Sequence, residues 1–260
     1  MTTAKIHPTA VIGDQVTIGE GSEIGPYCIL EDEVTIGRHT RLMANVYVGR
    51  YTKIGDHNQF FPYSTIGVVP QDLKFEDRKT TLEIGDHNTI REHVTLHRGT
   101  VHGGGITKIG NHNYLMVLTH SGHDCHIGDR NILSHAATLA GHVTIGNDAT
   151  VGAYSGIHQF CRVADHAFIG GYSVVTQDAM PYIKTVGNRA KIYGLNTIGL
   201  ERKGFSKTDI AELKDAYRIL FLRKLRLEEA LAELDERYPD SAHIRYLVDF
   251  IRSSERGIVR

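Results

Sequence analysis

An apolar residue at every sixth position is the strongest constraint this sequence carries. From Ile6 the frame runs through Ile12, Ile18, Ile24, Leu30, Ile36, Leu42, Val48, Ile54, Phe60 and Ile66, and it resumes at Ile84, Ile90 and Leu96. It then slips by one and continues from Ile109 through Leu115, Ser121, Ile127, Leu133, Leu139, Ile145, Val151, Ile157, Val163 and Ile169 to Val175. Ser121 is the one polar member. A six-residue period spirals round an α-helix and gives it no apolar face. It suits short extended segments joined by tight corners. The residue after the apolar one is often glycine, as at Gly13, Gly25, Gly55, Gly110 and Gly146, and is expected to supply the dihedrals of those corners. The fourth residue after it is usually small, as at Ala10, Ser22, Cys28, Cys125, Ala137 and Cys161.

Three six-residue sides close into an 18-residue triangular coil, the pattern of a hexapeptide-repeat parallel β-helix. The expected fold is an all-β parallel β-helix over 1–184, followed by a small C-terminal α-helical domain over 185–260. Proteins with this repeat are, by resemblance, left-handed coils, against the usual right-handed crossover. The repeat breaks over 67–83 and 102–108, which are expected to be loops carried on a rigid scaffold. After Pro181 the apolar spacing becomes three and four. Ser206 with Asp209 forms an N-cap pair ahead of Ile210, Leu213, Tyr217 and Leu220, a second helix fits 227–237, and Ile244 to Ile251 suggest a third. These helices are expected to close the open end of the prism.

Composition removes other classes. The chain is 41% hydrophobic and 23% charged with a net charge of -1, which excludes a disordered polyelectrolyte and gives no bulk reason to expect nucleic acid. No apolar run is long enough for a transmembrane segment, and Met1 to Pro8 lack the apolar region of a secretory signal. Cys28, Cys125 and Cys161 all fall on the small position, so they are read as packing residues in a cytoplasmic protein.

Residues 18 apart stack in such a coil. That puts Asp124 under His142, Gly122 and Ala140 in line with His158, and His123 in line with Gly141 and Gln159. His123, Asp124, His142, His158 and Gln159 are therefore expected on one strip of wall, beside small residues that leave space for a ligand. Histidine at near-neutral pH is the natural general base for activating an alcohol. His120, His123 and His126 look like a metal-ligand string, but His120 and His126 are a whole side apart, so one ion cannot be held by all three from one chain. No metal and no cofactor is expected.

The motifs Pro70-Gln-Asp-Leu-Lys74, His97-Arg-Gly-Thr-Val101, Gly103-Gly-Gly105, His120-Ser-Gly-His-Asp-Cys125, Leu139-Ala-Gly-His-Val143, His158-Gln-Phe-Cys161, Gly187-Asn188 and Arg202-Lys-Gly-Phe205 occur in that order. With the prism and helical cap, they make the whole chain resemble the UDP-N-acetylglucosamine O-acyltransferase family, whose members begin lipid A biosynthesis in the cytoplasm. The resemblance implies a homotrimer with active sites between neighbouring prisms. It also implies transfer of an (R)-3-hydroxyacyl chain from acyl carrier protein to the glucosamine 3-hydroxyl. It assigns His123 as base, Asp124 as its partner and the Gly141 amide as oxyanion donor. It places Asp72, Lys74, His97, His120, His142, His158, Gln159, Asn196, Arg202 and Lys203 among substrate contacts, and Gly171 at an acyl-chain ruler. Ile198 stands where many relatives have glutamate, and Lys203 where arginine is common, exchanging a bidentate grip for a point charge. Residues 185–260 carry 15 Lys+Arg against 12 Asp+Glu, a net of +3, and 1–184 carry -4. Arg218, Arg223, Lys224 and Arg226 are candidates for docking the acidic carrier protein. Four alternatives stay open at this level: an amide-forming relative acting on a 3-amino sugar, the later N-acyltransferase of the pathway, a metal-dependent enzyme of the hexapeptide carbonic anhydrase type, and a non-catalytic hexapeptide scaffold.

Overall fold

A computed structural model describes residues 3–260; Met1 and Thr2, at the start of the expected first domain, lie outside the described residues. Among the described residues the chain winds into a left-handed parallel β-helix whose three walls belong to sheets of 11, 9 and 8 strands, the largest ending in one antiparallel strand. Most strands are two residues long, as at Thr35–Ile36 and Thr138–Leu139. Pairs such as Glu23↔Arg41 and Ile29↔Tyr47 set the 18-residue register. Gln59↔Thr89 and Thr89↔Tyr114 keep the stack in line across the two insertions. The apolar frame fills the prism: Leu30, Leu42, Phe60, Leu96, Leu133 and Val151 are fully buried, whereas Ile6 on the opening coil is 47% exposed. Ser121, the polar member of the frame, is also buried.

The corners differ from expectation. Their left-handed residues are mostly not glycine: Gln15, Tyr27, Asn45, Tyr63, Asp124, Ala136 and Phe160 all have φ between 54° and 64°. Seven of the 16 histidines sit at positive φ (His39, His57, His87, His93, His112, His142 and His166), a region in which histidine is enriched. The rings of His39, His57, His87 and His112 stack along one corner at centroid spacings of 5.0, 4.8 and 4.8 Å. The repeat glycines serve close approach instead. A Cβ on Gly25 would lie 1.8 Å from the Met43 carbonyl oxygen of the next coil, and one on Gly49 2.4 Å from that of Gly67.

The first interruption is narrower than the broken repeat suggests, and the second lies further toward the N-terminus. Strands Thr65–Val68 and Thr81–Ile84 run into the first, leaving 69–80 as loop. Strand Ile106–Ile109 runs into the second, so the excursion there is 98–105 rather than 102–108. Leu82 and Thr107 are buried and paired with each other in register, which holds these ends in the wall.

Three of the C-terminal helices match expectation: α2 (Lys207–Phe221), α3 (Leu227–Arg237) and α4 (Ala242–Arg252), with Ser206 and Asp209 forming a capping box on α2. Helix α1 (Thr197–Arg202) and the antiparallel hairpin Ile183–Val186/Lys191–Leu195 were not anticipated; the hairpin strand Ile183–Val186 runs across position 184. Leu200, Leu213, Ile219, Leu234 and Val248 pack with Met180, Tyr182 and Ile183 in a second core. The chain end returns to the prism through the Asp178↔Ile258 bridge, with Val259 in the prism core. No helix among the described residues is long and apolar enough to cross a membrane.

Candidate active site

The turn after strand His120–Ser121 puts Asp124 in the left-handed region (φ 59°) and sends its carboxylate inward, where the side chain is 1% exposed. A buried carboxylate needs donors, and three come to it. Thr100 donates its N–H to Oδ1 at 2.8 Å and its hydroxyl to Oδ2 at 2.7 Å, and His123 Nδ1 lies 2.8 Å from Oδ2. The backbone amide of Asp124 in turn donates to Thr107 Oγ1 at 2.8 Å. A carboxylate only accepts, so the neutral form of the His123 ring carries its proton on Nδ1 and presents Nε2 with a lone pair. The ring lies against Gly141, where a Cβ would come within 2.8 Å of Nε2. No hydrogen bond to the Gly141 amide occurs among the described residues. A ring nitrogen able to accept a proton thus sits against the Gly141 backbone.

His142 completes this centre. Its Nε2 is 3.7 Å from Asp124 Oδ2, its ring meets that of His123 edge-on at 5.1 Å, and it stacks on Phe160 at 4.4 Å. Burial holds its pKa below the ordinary value, and His123 and His102 push the same way against Asp124. Ligand atoms of His123, Asp124 and His142 all lie within 4.8 Å of one another, a grouping able to hold a metal ion. His120 and His126 fall on different walls of the prism.

The two insertions roof the centre. His102 Nε2 lies 3.0 Å from Asp72 Oδ2, joining the 98–105 and 69–80 excursions, and the His102 ring is 6.5 Å from that of His142. Asp72 also accepts from the Lys74 amide at 2.9 Å, and that bond, more than the His102 and His123 charges, lowers its pKa. Lys74 and His102 line a cavity of about 230 Å³ with Phe75, Glu76, Arg78 and Val101. On the adjoining strands, His97 Nδ1 donates to the Val69 carbonyl at 2.7 Å, and His120 Nδ1 pairs with Thr95 Oγ1 at 2.7 Å. Burial depresses both imidazoles, and with His97 alongside it His120 falls to about 4. These two rings are neutral near pH 7, suited to hydroxyl groups rather than to phosphate charge.

The other predicted residues stand apart from this centre. His158 is exposed, with Nδ1 3.2 Å from the carbonyl of Gln159 and 3.3 Å from Arg256 Nη2; neither it nor Gln159 contacts His123 among the described residues. Asn196 donates to the His166 carbonyl at 3.1 Å, and exposed Arg202 ends α1. Lys203 is committed to Asp148 at 2.7 Å. Gly171 lies on an exposed turn, where an added Cβ would meet the Ala153 carbonyl oxygen at 3.2 Å. Thr100 and Gly103 stand in motifs that gave them no role of their own, and Thr107 stands in none. A Cβ on Gly103 would lie 2.1 Å from Asp124 Oδ2, so the glycine of the Gly-Gly-Gly run is what lets the loop close on the carboxylate.

The hexapeptide prism, its helical cap and the His–Asp centre together define an acyltransferase of the hexapeptide-repeat class. Residues 142–177 match the bacterial transferase hexapeptide (six repeats), and 178–259 match UDP-N-acetylglucosamine O-acyltransferase, domain 2. Among solved structures, UDP-N-acetylglucosamine O-acyltransferase (LpxA) from Moraxella catarrhalis RH4 is 46% identical, covering 98% of this chain and 99% of its own, with a TM-score of 0.95. LpxA from Acinetobacter baumannii is 45% identical over 100% and 99% of the two chains (TM-score 0.88). The Francisella novicida UDP-N-acetylglucosamine acyltransferase is 37% identical over 98% and 94% (TM-score 0.95). The chain belongs to the UDP-N-acetylglucosamine O-acyltransferase family and is an O-acyltransferase.

Proposed function

We propose that the protein transfers an (R)-3-hydroxyacyl chain from acyl carrier protein to the 3-hydroxyl of UDP-N-acetylglucosamine, in the cytoplasm and as a homotrimer, opening lipid A biosynthesis. The observation that carries this reading is the His123 ring, fixed at Nδ1 by Asp124 and lying with Nε2 against Gly141. In the proposed reaction Nε2 takes the proton of the sugar hydroxyl as its oxygen attacks the thioester carbonyl. The oxyanion accepts from the Gly141 amide. Collapse breaks the carbon–sulfur bond, and the thiolate leaves with the proton from Nε2 as thiol. Asp124 holds the tautomer and stabilises the imidazolium. Neutral His97 and His120 are matched to sugar hydroxyls, and Lys74 to the diphosphate through charge-assisted hydrogen bonds. His142, His158, Gln159, Asn196 and Arg202 are retained as further contacts. Those distant from His123 on one chain would reach substrate across the cleft between neighbouring prisms. Lys203 is the exception, because its charge is already met by Asp148.

Arg218, Arg223, Lys224 and Arg226 lie exposed around the end of α2 and remain the proposed docking patch, with Arg223 paired to Glu233. Mass spectrometry of the product formed from UDP-N-acetylglucosamine and 3-hydroxyacyl carrier proteins tests the proposal. An O-linked 3-hydroxyacyl ester supports it. No transfer to this sugar, or transfer only to a 3-amino analogue as an amide, overturns it.

A further inference from the structure

We infer that Arg98 is the positioning residue that seats the 69–80 loop, and with it Asp72 and Lys74, over the His123 centre; this rests on the function proposed above. Arg98 is the largest fully buried side chain among the described residues, at 1% exposure. A guanidinium does not shed its charge when buried, so it must be matched where it lies. Its match comes from the loop. Nη2 donates to Asp77 Oδ1 at 2.8 Å, and the guanidinium carbon lies 5.4 Å from the Phe75 ring centroid and 5.5 Å from that of Tyr51. Both distances fall within cation–π range. Phe75 and Asp77 belong to the loop and Tyr51 to a prism corner, so one cation ties the two together. The Arg98 amide adds a bond to the Val68 carbonyl at 3.1 Å, at the root of the loop.

The catalytic side of the loop is linked to this anchor. The Phe75 amide donates to the Asp72 carbonyl at 3.0 Å, and the Lys74 amide donates to the Asp72 carboxylate at 2.9 Å. Asp72 and Lys74 are therefore three and one positions from the ring that rests on Arg98. Exposure around the clamp is lopsided: the Asp77 side chain is 73% exposed, and Arg98 Nε has no hydrogen-bond partner among the described residues. Replacing Arg98 leaves a carboxylate that water can solvate, whereas replacing Asp77 strands a buried cation. Arg98→Met is accordingly the cleaner probe.

In Arg98→Met we expect the KM for UDP-N-acetylglucosamine to rise roughly 10- to 100-fold with kcat within about threefold, and trypsin to cleave after Lys74, Arg78 or Lys79 at least tenfold faster than in the parent. In a Lys74→Ala background the same substitution should raise KM by less than about threefold, because the residue it positions is gone. KM within twofold of the parent, or an effect fully additive with Lys74→Ala, overturns the inference. Should Arg98→Met not fold, Phe75→Leu takes its place, with the same direction expected and the same two outcomes against it. The proteolysis readout needs no substrate, so failure of the clamp is distinguishable from failure of the proposed activity: a parent inactive on this sugar indicts the function, and unchanged cleavage indicts the clamp.

Discussion

Asp124→Asn changes one atom at the heart of the proposed mechanism and leaves the shape alone. The amide oxygen can stay on the Thr100 N–H, which now donates to Oδ1 at 2.8 Å. The new NH₂ then faces the two groups that meet Oδ2, the Thr100 hydroxyl at 2.7 Å and His123 Nδ1 at 2.8 Å. A hydroxyl can rotate and accept, but an imidazole N–H cannot face an NH₂. His123 must give up the Nδ1 proton and carry it on Nε2, where a base needs a lone pair. Loss of general-base catalysis is worth about 10²–10⁴ in rate, or about 3–5 kcal/mol of barrier at 1.36 kcal/mol per tenfold. The cost in stability should be smaller, about 1 kcal/mol, since each Thr100 contact retains a partner. The assay is kcat at saturating donor and acceptor, with ¹⁵N NMR of the His123 ring reporting the tautomer. An Asn variant that folds, keeps Nδ1 protonated and turns over within fivefold of the parent would refute the dyad argument.

Other perturbations follow from the same geometry. Asn113→Ala should lower unfolding free energy by about 1–3 kcal/mol in a denaturant titration, because the Asn131 amide and the Gly128 carbonyl lose buried partners. Gly171→Met should shift chain preference toward shorter acyl donors, the turn yielding slightly where Cβ meets the Ala153 carbonyl; an unchanged donor profile would refute a ruler at this position. His120 titrates at about 4 in the folded chain against an ordinary value near 6.5, so the unfolded chain binds more protons between those limits. Stability should therefore fall as pH drops from about 6.5 to about 4, and His120→Gln should show a smaller drop in denaturation midpoint over that window.

The prism was legible because a parallel coil repeats one geometry: Ile24, Leu42, Phe60 and Ile90 had to be apolar at the same phase to fill one shaft. The centre was legible for the same reason, since 18-residue stacking brings His123 against Gly141 and Asp124 toward His142. The arithmetic does not set side-chain direction, so it could not foresee that His158 turns to Arg256. It also fails inside the insertions, where no coil register exists, and that hid Thr100 and Gly103 behind Asp124. Asn58, Asn88, Asn113 and Asn131 occupy a position that is small elsewhere. Their burial is tolerated because each side-chain oxygen accepts from the next coil while each NH₂ meets a glycine carbonyl. The glycines themselves were visible, but their purpose was not, because close approach between coils leaves the same one-residue trace as a corner does.

Turnover of His123→Ala bears most directly on the mechanism. In the folded protein, with UDP-N-acetylglucosamine and 3-hydroxyacyl carrier protein at saturation, kcat should fall by about 10²–10⁴ while the melting temperature and oligomeric state stay those of the parent. Near-normal turnover in that variant would contradict a general base at His123.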